Sequence, residues 1–148
     1  MKISSKGRYG LAAMIHIADK GRNGEYITIV SIAEELKISK IYLEQVFSLL
    51  KRANLVISVK GAHGGYRLAK SATNISARDI LESIEISLFE NTDSTVLESA
   101  KGIELAMNNL LWEKLDNEVA ITLSNVSLQD LLDEAQKYSS NNEMMFYI

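Results

Sequence analysis

Leu43, Val46, Phe47 and Leu50 recur at i, i+3, i+4 and i+7. That spacing paints one apolar stripe along a helix, and Ser39 stands where an N-cap belongs. The opposite face carries Lys40, Glu44, Gln45, Ser48 and Lys51, polar groups with the reach to meet phosphates and base edges in a major groove. The period then changes. Leu55 to Val59 alternates as a strand, Gly61, Gly64 and Gly65 permit a tight or left-handed turn, and Tyr66 to Leu68 can return. A helix followed by a hairpin bearing Lys60, His63 and Arg67 reads as a DNA-reading helix and its wing. A structural helix would show the same stripe, and the hairpin is what favours the DNA reading. The glycines match neither GxxxxGK[ST] nor GxGxxG, the spacings of nucleotide phosphate loops.

The same patterning orders the rest of the chain. Ser5 to Lys20 reads as a helix with Leu11, Met14, Ile15 and Ala18 on one face, ended by Gly21 and Gly24. His16 lies beside that stripe and reads as a structural residue. Thr28 caps a short helix to Leu36 with Ile32, Ala33 and Leu36 inward, and Lys37 to Ser39 is the turn of a helix-turn-helix. Ser76 and Asp79 form a capping box before Ile80, Leu81 and Ile84. Ser87 to Thr95 is a loop. Val96, Ala100, Ile103, Met107, Leu111, Leu115 and Val119 follow at intervals of three or four, a stripe long enough for a dimer helix. Gly102 weakens that helix by about 1 kcal/mol, which moves its expected start to Lys101. Trp112, beside the stripe, reads as a packing anchor. Ser127 caps a last helix to Tyr138, with Asp130 completing a second box.

Charge changes the picture more than composition does. Residues 1–80 hold 13 Lys and Arg against 6 Asp and Glu, and residues 81–148 hold 3 against 13, so a total of −3 hides a basic half and an acidic half. The basic half coincides with the helix and wing, as expected of a nucleic-acid binder. With 148 residues, 47% of them hydrophobic, the chain suits one globular domain with an oligomerisation element. No apolar run approaches a membrane span, and the first residues lack a secretory pattern, so a cytoplasmic protein without membrane contact is expected. Cysteine is absent, which excludes thiolate catalysis and cysteine-held metals; no metal, cofactor or catalytic group is expected. Two histidines without a paired polar motif make an enzyme a poor reading.

KGRYGL at Lys6–Leu11, SIAEEL at Ser31–Leu36, YLEQVFSLL at Tyr42–Leu50, LVISVKGAHGGYRL at Leu55–Leu68, LLWEKL at Leu110–Leu115 and SLQDLL at Ser127–Leu132 together resemble the Rrf-two family of bacterial winged helix-turn-helix regulators. The resemblance implies a mainly α fold with a small β-wing: a DNA-binding region over 1–86, a linker loop, dimer helix and final helix over 87–138, and a tail over 139–148. It implies a homodimeric repressor on a double-stranded operator, with Ile103, Met107, Leu111, Leu115 and Val119 between protomers. The DNA contacts it implies are Ser39, Lys40 and Tyr42 on phosphates, Glu44 and Gln45 at base edges, and Lys60, Gly61, His63, Gly64, Gly65 and Tyr66 in the wing. Lys6, Arg8, Tyr9 and Ser48 complete the candidate set. The family's usual wing arginine is Lys60 here, a weaker reader of a narrow minor groove.

Many members of the family hold an iron–sulfur cluster on three cysteines before the dimer helix. Here that loop offers only Glu90 and Asp93. It looks instead like the branch that represses genes of cysteine and sulfur metabolism. After polar SSNNE the sequence closes on Met144-Met145-Phe146-Tyr147-Ile148, apolar where a tail is ordinarily polar. Two readings stand: the tail packs on its own dimer, or Met145, Phe146, Tyr147 and Ile148 enter a partner's anion-binding pocket, the isoleucine carboxylate imitating an amino-acid substrate. The resemblance implies cysteine synthase as that partner, with O-acetylserine as competitor. A small-molecule effector near the dimer helices is the alternative switch.

Overall fold

Capping residues set the helix boundaries. The computed structural model describes residues 1–146, with side chains described through residue 139. Helix α1 (Ser5–Lys20) starts where the Ser4 hydroxyl accepts the Gly7 N–H and stops at Gly21. Thr28 caps α2 (Ile29–Leu36), which closes on Lys37 in the left-handed region at φ 56°. Ser39 caps α3 (Lys40–Arg52), so two short helices stand on either side of a tight turn. Strands β1 (Val56–Val59) and β2 (Gly65–Leu68) then pair antiparallel, from Val56 opposite Leu68 to Val59 opposite Gly65.

The hairpin gains a third rung that local patterning does not announce. Ile27 and Tyr66 exchange backbone hydrogen bonds of 2.8 Å, tying the wing to the segment ahead of α2. Gly65 is what permits this approach. Its φ is +139°, and a Cβ there would collide with the Ile27 carbonyl.

Beyond the wing, both expected boxes are closed. Ser76 accepts from Asp79 N–H at 3.0 Å and Asp79 accepts from Ser76 N–H at 2.9 Å, opening α4 (Ala77–Ile84). Ser127 and Asp130 do the same at 2.9 Å each, opening α7 (Leu128–Phe146). The stretch expected as a plain loop begins with a 3-10 turn over Ile86–Phe89. The long stripe divides into α5 (Lys101–Met107), a π-helical turn over Asn108–Trp112 and α6 (Glu113–Ser124). Val96 and Ala100, counted with the stripe, lie ahead of α5, and Trp112 is half-buried in the π turn.

The last helix is longer than expected. It runs on through Phe146 rather than ending at Tyr138, since polar SSNNE contains neither proline nor glycine to stop it. Its first turns pack on the helices of the N-terminal half. Leu128 and Leu132 are buried in the same core as Met14, Ile17, Ile32, Leu43, Val46, Phe47, Leu50 and Ile80. Helix α1 is therefore covered by α3, α4 and α7, and its buried face extends beyond the expected stripe to Gly7, Gly10, Ala13, His16 and Ile17.

His16 is 9% exposed and its Nε2 has no hydrogen-bond partner among the described residues. Burial lowers its pKa below the ordinary 6.5; Glu35 and Asp19 raise it and Lys20 lowers it, but burial dominates. The unfolded chain then binds this proton more readily than the folded one. Stability should fall as the pH drops through about 6.5 and keep falling until the folded-state pKa is passed. Urea midpoints from pH 7.5 to 5 should show this decline, and His16→Leu should flatten it; an unchanged slope in the variant would exclude His16 as its source.

Candidate nucleic-acid interface

The expected DNA-facing residues come from the start of α1, the α3 helix and the hairpin. Tyr9 and Tyr42 meet edge to face, with ring centroids 5.4 Å apart and planes at 82°. That contact sets Lys6, Arg8 and Tyr9 beside the first turn of α3. Arg8 is exposed, and its guanidinium donates to the Ser5 hydroxyl at 3.1 Å. On α3, Ser39, Lys40, Glu44, Gln45 and Ser48 are all exposed, while Leu43, Val46, Phe47 and Leu50 are buried. The helix is thus held by its apolar stripe and leaves its polar face open.

Lys40 and Glu44 form an ion pair at 4.0 Å, with both side chains more than half exposed. Such a pair contributes little stability, and either partner can turn to another group. Ser39 spends its hydroxyl on the Tyr42 N–H at 3.5 Å, which fixes the helix start.

In the wing, Lys60, Gly61 and His63 are exposed beyond the last rung of the ladder. Gly61 has φ +111°. Gly64 is buried, and a Cβ there would strike the Val59 carbonyl. Tyr66, expected among the wing's DNA contacts, is half-buried. Its ring lies 4.5 Å from that of Phe47, and its backbone is bonded to Ile27, so it braces the wing against α3. Arg67, at the wing's root, stacks 4.8 Å over the Tyr26 ring and donates to the Gly24 carbonyl at 3.5 Å.

One exposed residue escaped the sequence reading. Ile41 is 69% exposed on α3 between Lys40 and Tyr42. An aliphatic group there suits the thymine methyl that a major groove presents. Its signal in the sequence is an apolar residue off the buried stripe.

The expected dimer row is accessible. Ile103, Leu111 and Leu115 are 59%, 45% and 50% exposed, Met107 and Val119 are half-buried, and Leu110 and Ile121 add 69% and 53%. Tyr147 and Ile148 lie outside the described residues, as do the side chains of Met145 and Phe146.

A helix-turn-helix with a two-stranded wing defines a winged-helix protein. The family model for Rrf2, iron-dependent transcriptional regulator, matches residues 3–134. The chain belongs to this Rrf2 family of DNA-binding transcriptional regulators. The HTH-type transcriptional regulator IscR of Pectobacterium atrosepticum is 33% identical over 139 residues, covering 92% of this chain and 82% of its own. Among solved structures, CymR, the global cysteine regulator of B. subtilis, superposes with TM-score 0.74 at 38% identity, covering 90% of this chain and 98% of that one. T. potens IscR superposes with TM-score 0.71 at 34% identity, covering 93% and 90%. These relatives are regulators and not enzymes.

The family's iron dependence does not carry over to the donors present. Cysteine is missing from the sequence, and among the described residues no three His, Asp or Glu gather as ligands. The buried acid beside the loop is otherwise engaged: Glu104, 7% exposed, accepts the N–H groups of Thr95 and Val96 at 3.0 and 2.8 Å. A carboxylate pins this loop to α5.

Proposed function

We propose that the chain acts as a homodimeric repressor that reads a pseudo-palindromic operator, one α3 helix in each of two major grooves. The observation that carries the dimer is the exposed aliphatic row on α5 and α6, which its own chain leaves uncovered, in an otherwise acidic half. The observation that carries the reading helix is the open polar face of α3 over a fully buried stripe. Gln45, an exposed amide on that face, is assigned to a base edge; a bidentate contact to adenine is its natural use. Gln45→Ala should weaken operator binding by about 1–3 kcal/mol while leaving random DNA almost unaffected. Fluorescence anisotropy on both duplexes tests this, and equal losses would remove Gln45 from base reading.

For the regulated genes, the likeness to a global cysteine regulator and the cysteine-free loop support control of cysteine and sulfur metabolism. The switch in this reading is a complex with cysteine synthase through the apolar run Met144–Ile148, released by O-acetylserine. Calorimetric titration of cysteine synthase with the full chain and with a chain lacking residues 145–148 tests it. Binding lost on truncation and on adding O-acetylserine supports the partner; no binding by the full chain overturns it.

A further inference from the structure

On the far side of the wing from its tip, a cleft of about 510 Å³ opens where three segments meet. Its size falls within the range of small-molecule sites. One wall carries Arg22 from the turn after α1, Arg67 from β2, and Lys70 with Ser71 from the segment that follows. The facing wall is α7, presenting Gln129 and Asp133. Three cations against the lining Asp133 and the Asp19 that pairs with Arg22 leave the cleft with a small positive excess in a chain of net −3.

The cations are placed but not used up. Arg22 donates one Nη to the Asp19 carboxylate at 2.8 Å and its Nε to the Asp19 carbonyl at 3.2 Å, and Arg67 donates one N–H to the Gly24 carbonyl. A guanidinium has five N–H donors, so most remain. Lys70 is exposed and has no ion-pair partner among the described residues. Nor is this an extension of the DNA face. Arg22 follows the end of α1, and Lys6 and Arg8 sit at its start, about 24 Å away along 16 residues.

We propose that this cleft binds a small organic anion, its carboxylate or phosphate held between Arg22, Lys70 and Ser71 and its polar body against Gln129 and Asp133. An occupant would bridge the turn after α1 and the segment after β2 to α7. It would thereby stiffen the root of the wing, whose other attachments include the Ile27 rung, the Tyr66 contact with Phe47 and the Arg67 contacts with Gly24 and Tyr26.

The test is the melting temperature of the full chain with acetate, citrate, inorganic phosphate or glycerol phosphate at 20 mM, each against sodium chloride of equal ionic strength. At least one anion should raise it by about 3 °C or more, and which one separates carboxylate from phosphate recognition. Arg22→Gln with Lys70→Gln should abolish the rise. So should Gln136→Glu, which sets a competing carboxylate in the cleft lining on a partly exposed helix position. Lys137→Gln, outside the lining, should keep it. No rise with any of the four, or a rise that survives both cleft variants, would overturn the proposal. So would a loss of operator affinity and salt dependence in the Arg22/Lys70 variant with no anion present, since the patch would then be a DNA contact. The binding arm needs no DNA, so it stands or falls apart from the operator reading.

Discussion

Replacing Leu111 and Leu115 together with glutamate should separate the protomers and cut operator affinity by about 100-fold or more. Both positions are about half exposed in the single chain, so carboxylates are tolerated there before assembly. Across a two-fold axis each new charge would face an apolar row or its own copy, and its desolvation would go uncompensated. The affinity loss follows from linkage: two half-sites on one rigid dimer make the second contact intramolecular, an advantage of about 10²–10⁴ that a monomer forfeits. Light scattering should show the mass fall from twice 16.5 kDa to that single value. Anisotropy titrations should show the affinity fall with it. A monomeric wild type, or a variant that remains dimeric, would remove the row from the interface.

Phe47→Ala should cost about 3–5 kcal/mol of folding stability, a large share of the 5–15 kcal/mol typical of a domain. Phe47 is fully buried in the core, and its ring lies 4.5 Å from that of Tyr66. Removing its ring leaves a cavity and deprives the wing of its brace, so two elements of the reading surface loosen at once. Phe47→Leu, which retains most of the volume, should lose less. Urea unfolding of the three proteins gives the comparison; a loss below about 1 kcal/mol for Phe47→Ala would mean the site collapses freely and does not organise the wing.

What could be read from the sequence, and what could not, divides by range. Thr28, Ser39, Ser76 with Asp79 and Ser127 with Asp130 each satisfy backbone groups within three residues, so their helices start where the sequence places them. The α3 stripe is equally local, and all four of its residues are buried. The Ile27 rung, the Phe47–Tyr66 contact and the docking of α7 on α1 join residues far apart in the chain, and no period encodes them. Of the candidate site, charge and exposure were legible on α3. The packing of Tyr66 on Phe47 had no local signal, because a glycine-rich hairpin does not reveal which of its side chains turns inward.

The π turn at Asn108–Trp112 has a consequence for partner choice. One residue more than an α-helical turn rotates everything after it by about 100° relative to what precedes it. The aliphatic seam is therefore stepped, with Ile103 on one tread and Leu115 on the next. In the homodimer proposed above, the partner's row has to present the same step to meet this one on both sides of the turn.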